Sequence, residues 1–208
     1  MTRDDVEIVD RSTPFQGYFR IDRYRLKHRL FEGGWSAEME REIFERGHAV
    51  AVLLYDPERE CLVFIEQFRA GAFAAIAANW LEDGASPWLV ECVAGIIGEG
   101  ETPEEVARRE VKEEADCEVQ EIVPVYHYMV SPGGTSESVY FFCARVEAPA
   151  DGGIHGLTEE HENIRVVVMP VADAFQWLQS GGIVDAMTLI AMQWFQGNHE
   201  DLKRRWNA

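Results

Sequence analysis

Apolar residues run almost unbroken from position 49 to 55 and again from 61 to 65, with Asp56-Pro57-Glu58-Arg59-Glu60 between them. Two short apolar runs flanking a polar turn predict a buried β-hairpin. Upstream of residue 48 the texture is different. Phe15-Gln16-Gly17-Tyr18-Phe19 leads into residues 20–31, where Ile21, Tyr24, Leu26 and Leu30 are interspersed with charges; Glu32-Gly33-Gly34 then marks a turn, and residues 37–45 continue polar and extended. This pattern predicts a small antiparallel sheet of about three strands, too thin to fold alone, which packs on the rest of the chain or on a second copy. Downstream, strand-like runs recur at 88–94, 122–129, 138–146 and 164–169, and helical patterns at 103–115, 171–179 and 183–196. The Ala-rich stretch 70–80 reads as a short helix or an ordered loop, closed by Asp83-Gly84-Ala85-Ser86-Pro87. Strands interrupted by a few helices predict an α/β fold, a mixed sheet with helices on both faces. The change of texture divides the chain into an N-terminal β-sheet segment, 1–47, and a larger domain, 48–208.

Composition narrows the function classes. The 208 residues carry 19 Lys+Arg against 37 Asp+Glu, a formal net charge of −18. Such a field repels phosphate backbones and anionic lipid headgroups, which argues against nucleic-acid and membrane partners. An acidic protein that handles a phosphorylated ligand needs cations as intermediaries. The four cysteines, Cys61, Cys92, Cys117 and Cys143, show no C-x-x-C pair, and three lie in apolar runs. Buried free thiols in a reducing compartment are expected. With an acidic start, no apolar leader and no bilayer-length apolar stretch, the reading is of a cytoplasmic protein.

The chemistry concentrates around residues 95–121. Thr102 is placed to cap a helix, Pro103 suits its first position, and Glu105 completes a capping box. Ala107, Val111 and Ala115 form an apolar ridge at i, i+4 spacing, while Glu110, Glu113 and Glu114 share an arc of about 100° on another face. Arg109 reaches Glu105 and Glu113 at i−4 and i+4 but cannot neutralise the cluster, since ten acids face three bases between Glu99 and Glu121. A solvated acidic face is the plain alternative for a helix standing alone. Here the glycine-punctuated loop Gly95-Ile96-Ile97-Gly98-Glu99-Gly100-Glu101 leads directly into it, and such backbone permits sharp turns and close approach of a ligand. Loop and carboxylate row together point to a divalent-cation site of hard oxygens, for Mg²⁺ or Mn²⁺; no His or Cys cluster favours zinc.

Gly95, five residues, Glu101, seven residues, then Arg109-Glu110-Val111-Lys112-Glu113-Glu114 resembles the Nudix box, G-x5-E-x7-R-E-U-x-E-E-x-G-U. One position departs: Asp116 stands where the box has Gly, at the end of the helix, where a left-handed residue is useful and Asp tolerates it better than most. The similarity extends from about Val6 to Trp206. Residues 41–48, Glu66-Gln67-Phe68-Arg69, Ser131-Pro132-Gly133-Gly134-Thr135-Ser136-Glu137 and Gly153-Ile154-His155-Gly156-Leu157 resemble bacterial ADP-ribose pyrophosphatases of the Nudix superfamily. Residues 70–87 form a longer segment than in those relatives.

The resemblance implies a Nudix-type α/β/α sandwich and Mg²⁺-dependent hydrolysis of ADP-ribose to AMP and ribose 5-phosphate. It implies Glu110, Glu113 and Glu114 as metal ligands, with the Ala94 carbonyl a further one, and Arg109 and Glu101 as residues that orient the carboxylates. The loop Leu157-Thr158-Glu159-Glu160-His161-Glu162-Asn163 is implied to supply the catalytic base, assigned to Glu160, with Glu162 a conditional metal ligand and His161 or Glu159 as rivals for the base. Arg41 and Arg69 are implied to hold phosphate or ribose oxygens, Tyr18 to stack on adenine, Glu42 to accept from the adenine amine, and Glu137 to reach a ribose hydroxyl. Surface ion pairs and a half-buried strand aromatic are the plain alternatives for these. The family further implies a homodimer that exchanges its N-terminal sheet and a small nucleotide substrate, while Trp177, Trp194 and Phe195, at helical spacing near the C-terminus, read as core or interface residues. Two other readings keep the fold: a pyrophosphatase for another nucleoside diphosphate sugar, and a nucleotide-sensing domain that binds without cleaving.

Overall fold

The computed structural model describes residues 1–81 and 84–206, and for Glu160 the backbone alone; Asp83, in the turn expected after residue 80, lies outside the described residues. The chain forms two compact units, Met1–His48 with His127–Val139, and Ala49–Tyr126 with Tyr140–Ala208.

The smaller unit holds an antiparallel sheet of β1 (Val6–Gln16), β2 (Arg20–His28) and β3 (Met39–Glu45), in that order. Three strands were expected, but β1 begins nine residues earlier than the apolar pattern indicated. Register shifts between Ile8 and Asp10 and between Ser12 and Phe15 break its alternation, so no period of two shows in the sequence. Every residue of β1 is exposed. The sheet is pinned at Asp22, which is fully buried and accepts from Arg11 Nη2 at 2.6 Å and Thr13 Oγ1 at 2.8 Å. These two hydrogen bonds hold its carboxyl below the usual carboxylate range. The loop 130–137 joins this unit at β3: Phe44 N–H donates to the Gly134 carbonyl at 2.8 Å, and Thr135 Oγ1 donates back to the Phe44 carbonyl at 2.9 Å.

The larger unit is built on β4 (Ala49–Asp56) and β5 (Cys61–Phe68), the buried hairpin the apolar runs predict. After α1 (Ala70–Ala77) come β6 (Trp88–Glu91), β7 (Val93–Ile96), α2 (Pro103–Ala115), β8 (Glu121–Met129), β9 (Ser138–Arg145), β10 (Gly153–His155), β11 (Ile164–Pro170), α3 (Val171–Gln179) and α4 (Ala186–Trp206). The main sheet has the order β10-β11-β5-β4-β9-β8. The single strand expected at 88–94 is two strands with different neighbours. β4 pairs with β5 only over Leu54–Asp56; beyond that the two diverge, β6 pairs with β5 and β7 with β4. Cys92 marks the changeover, its N–H donating to Thr188 Oγ1 at 2.9 Å.

Strand alternation sends side chains to two layers. Val50, Val52, Leu54, Val63 and Ile65 pack with Val106, Ala107, Val111 and Ala115 of α2, so the predicted ridge is the one buried. On the other face Tyr55 lies edge-on to Phe195 at 5.1 Å and Phe64 to Trp177 at 5.5 Å, which sets α3 and α4 against the sheet. This is the α/β/α sandwich. Phe195 is a core residue there, Trp177 is half-buried, and Trp194 packs edge-on against Phe141. The last helix runs ten residues past its expected end because Leu202 and Trp206 are buried too. All four cysteines are free and buried. No helix among the described residues is long and apolar enough to cross a membrane.

Candidate active site

The local chemistry of residues 98–105 fixes where α2 begins. Thr102 accepts from the Glu105 N–H, Glu105 Oε2 accepts from the Thr102 N–H at 2.9 Å, and Pro103 occupies the first turn, where its missing N–H costs nothing. One turn earlier, Gly98 N–H donates to Glu101 Oε2 at 2.8 Å. At the other end Asp116 adopts φ 49°, ψ 31°, the left-handed conformation expected there, and Lys112 Nζ reaches its carboxylate at 2.6 Å.

Arg109 is the hub of the acidic cluster. Its Nε donates to Glu101 Oε1 at 3.2 Å, and its Nη1 to Glu110 Oε1 at 2.8 Å and Glu113 Oε2 at 3.0 Å. The expected i−4 contact with Glu105 is not made; Glu105 is engaged by Thr102, and Arg109 takes Glu101 instead. Gly98 N–H and Arg109 together hold the Glu101 carboxyl below its ordinary value.

Glu110 and Glu114 face β7. Glu114 is 2% exposed, and its Oε2 accepts from the Ala94 N–H at 3.0 Å. Burial, followed by the nearby charges of Glu110 and Glu162, pushes its carboxyl up to about 8. Burial also raises Glu110, to about 7, with Arg109 opposing and Glu113 adding to the rise. A Cβ at Gly95 would lie 2.0 Å from Glu110 Oε1 and 2.3 Å from its Cγ. The first glycine of the loop therefore makes room for a carboxylate of the protein itself, rather than only for a ligand.

The loop after β10 docks beneath α2. Gly156 N–H donates to the Glu113 carbonyl at 3.2 Å, and Leu157 N–H to Glu162 Oε2 at 3.0 Å. Gly156 has φ +94°, and a Cβ there would meet the Glu162 Cβ at 2.7 Å. This folding brings Glu162 close enough to raise both Glu110 and Glu114. Residues Thr158–Glu160 make one 3₁₀ turn, followed by His161 in the left-handed region at φ 59°. Glu159 and His161 are exposed, and the side chain of Glu160 lies outside the described residues.

The remaining expected residues divide between the units. Tyr18 sits in the β1–β2 turn, 87% exposed and edge-on to Phe19 at 4.8 Å, not in a half-buried strand. On β3, Arg41 donates to the Glu40 carbonyl at 2.7 Å, and Glu42 accepts from Arg23 Nη2 at 3.0 Å. Glu137 is buried with Arg46 Nη1 at 3.4 Å. These four belong to the smaller unit. Arg69, in the larger unit, directly follows β5 and donates from Nε to Glu91 Oε2 at 2.7 Å. Glu91 was not singled out from sequence. Its signal was a lone carboxylate inside the apolar run Leu89-Val90-Glu91-Cys92-Val93. Gln67, two residues before Arg69, is 7% exposed, and its Nε2 has no hydrogen-bond partner among the described residues.

Among the described residues, no three His, Cys, Asp or Glu side chains form a ready-made metal cluster. Arg109 draws off Glu110 and Glu113, and Glu114 turns to the Ala94 amide. The donor set nonetheless suits a hard divalent cation, because it offers three carboxylates and a strand backbone. Burial and like charge raise two of those carboxyls, and a cation beside them would oppose that rise.

Comparison with known proteins places this arrangement. The profile of the NUDIX domain matches residues 45–186. The chain belongs to the Nudix family. This Nudix protein is 47% identical over 204 residues to the ADP-ribose pyrophosphatase of Escherichia coli strain K12, covering 98% of the chain and 94% of that protein. It is 38% identical to the ADP-ribose pyrophosphatase of Haemophilus influenzae, over 99% of the chain and 92% of the relative. A GDP-mannose pyrophosphatase of E. coli strain HS is 32% identical over 76% of the chain and 78% of its own length. Among solved structures, an ADP compounds hydrolase superposes with a TM-score of 0.67 at 19% identity, covering 93% of this chain and 96% of that one, which shows the shared fold. The Nudix sandwich, a small separate antiparallel sheet and the hydrolase class are thus in place.

Proposed function

We propose that this Nudix hydrolase cleaves the pyrophosphate of ADP-ribose to AMP and ribose 5-phosphate. The observation that carries the substrate is the 47% identity to an ADP-ribose pyrophosphatase along nearly the whole of both chains. In the proposed reaction a water oxygen bonds to one phosphorus while the bond from that phosphorus to the bridging oxygen breaks. The bridging oxygen leaves on the other phosphate, and the proton of the water passes to a base.

Glu110, Glu113, Glu114 and the Ala94 carbonyl are the residues proposed to hold Mg²⁺, or Mn²⁺, with Glu162 joining them when the loop 157–163 is in place. When bound, the metal neutralises the diphosphate and lowers the pKa of attacking water. Arg109 fans Glu110 and Glu113 from one guanidinium and holds them as a pair. Glu114 is buried, and a cation beside it would favour its charged form. Glu160 is the proposed base. A carboxylate among cations is a weak base and must lie on the water itself. Arg69 is proposed to grip a phosphate or ribose oxygen of the substrate with its planar fork. Arg41, Tyr18, Glu42 and Glu137 are proposed for the nucleoside and ribose, supplied through a homodimer; the wholly exposed edge strand β1 supports a partner copy.

The test is turnover of ADP-ribose beside GDP-mannose, with Mg²⁺ and with EDTA, for the wild type and Glu114→Gln. Mg²⁺-dependent release of AMP from ADP-ribose is expected, lowered by two or more orders of magnitude in the variant with its circular dichroism unchanged. Cleavage of GDP-mannose with ADP-ribose untouched would overturn the substrate, and wild-type turnover by Glu114→Gln at saturating Mg²⁺ would overturn the ligand assignment.

A further inference from the structure

Arg69 and Glu91 form a pair of unequal burial. The Arg69 side chain is 38% exposed and that of Glu91 5% exposed, with Nε and Oε2 2.7 Å apart. The strand register explains how they meet. β5 and β6 run antiparallel with Ile65 opposite Glu91 and Gln67 opposite Leu89, so residues 65, 67 and 69 alternate onto the face that carries Glu91. Backbone bonds fix both partners. Arg69 N–H donates to the Pro87 carbonyl at 2.8 Å. Glu91 ends β6, and the next residue, Cys92, is tied to Thr188 before the chain switches to β4 as β7. The carboxylate therefore has a fixed position, and the arginine bends to it.

The mode of contact matters. Glu91 takes the Nε–H of Arg69, and no other side-chain partner of that guanidinium is found among the described residues. An arginine offers five N–H donors, so the four on its two terminal nitrogens stay available and the plane of the fork is set from behind. The face it shares is that of the acidic helix, for Arg69 is close enough to Glu114 to favour its charged form. A buried ion pair adds little to stability compared with well-packed apolar side chains. Leu89, Val90, Cys92 and Val93 around it show that this strand otherwise uses apolar residues.

We infer that Glu91 is a positioning residue, which orients the Arg69 guanidinium so that its terminal nitrogens meet an anionic oxygen of the nucleotide substrate. This rests on the proposed role of Arg69 as a substrate arginine. Glu91 itself touches no substrate. Without its carboxylate Arg69 retains its charge but loses its aim.

The experiment is a double-mutant cycle on the full chain with Arg69→Ala, Glu91→Gln and the double variant, read two ways. Affinity for the α,β-methylene analogue of ADP-ribose, whose bridge resists cleavage, is measured by titration calorimetry with Mg²⁺, and kcat and KM for ADP-ribose are measured under the same conditions. Exchanging a charge-assisted hydrogen bond for a neutral one predicts a loss of affinity of about fivefold in Glu91→Gln, with KM rising alike and kcat within about twofold of wild type. Glu91→Leu, which fills the space and makes no hydrogen bond, is expected to lose about tenfold or more. The double variant should bind no more weakly than Arg69→Ala alone. Thermal unfolding of Glu91→Gln checks that the fold persists. If Arg69→Ala weakens binding while Glu91→Gln and Glu91→Leu, both folded, bind as wild type, Glu91 does not position it. Losses that add fully in the double variant would equally overturn the inference. If Arg69→Ala binds as wild type, the reading of Arg69 fails first and takes the inference with it.

Discussion

Gly95 illustrates how one residue without a side chain can place another that has one. The Glu110 carboxylate lies where a β-carbon of residue 95 would be, so the strand and helix pack at a distance that only glycine allows. Gly95→Ala forces the flexible end of Glu110 to swing away while the helix stays docked through Val106, Ala107 and Val111. Displacing a reacting group by about an ångström costs on the order of a hundredfold in rate. A loss of tenfold to a hundredfold in kcat, a higher Mg²⁺ requirement and a nearly unchanged Tm are the expected results, checked by turnover against Mg²⁺ concentration and by thermal unfolding. Glu113, with 27% of its side chain exposed, has space to move that Glu110, at 13%, lacks.

At the scale of the element, α2 is held at both ends by chemistry that its own sequence supplies. The capping box satisfies two amide donors at its start, and Asp116 closes its end in the left-handed region with Lys112 on its carboxylate. Losing a threonine cap costs about 1 kcal/mol. Thr102→Ala should therefore lower the Tm by about 2–4 °C, as calorimetry would read, while leaving kcat near wild type at temperatures well below the transition. A large fall in kcat at such temperatures would mean that the first turn of α2 also shapes the site.

For the whole molecule, one network ties the hairpin to the last helix. Glu60, in the β4–β5 turn at φ 52°, accepts from the Tyr55 hydroxyl and Lys203 and lies 3.0 Å from His199 Nε2. Burial alone would raise its carboxyl, but Lys203, Tyr55 and His199 outweigh burial and hold it at about 2. Because the folded value lies below the ordinary 4.5, the contribution to stability is complete above about pH 5 and disappears as the pH falls towards 2. Wild type should be more stable than Glu60→Gln at pH 6, and the gap between their urea midpoints should close between pH 5 and pH 2.5. A gap that stays constant over that range would dissociate Glu60 from the acid sensitivity of the fold. The charged partners are more than one-third exposed, so solvent screening limits the gap.

The sequence by itself determined the hairpin, the capped helix and the carboxylate row, because each depends on contacts within a few residues: apolar runs of strand length, a threonine three residues before a glutamate, acids at helical spacing. It determined the left-handed position of Asp116 for the same reason. What tertiary structure alone decided follows from contacts between distant segments. Whether residues 88–94 make one strand or two depends on where β4 and β5 part. The bulges of β1 hide its alternation until β2 supplies the register. Arg109 chooses Glu101 over Glu105 because the loop folds back on the helix, and Glu91 gains its arginine only when β6 lies beside β5. Short-range patterns specify elements, whereas burial, and with it the raised carboxyls of Glu110 and Glu114, exists only once those elements are packed together.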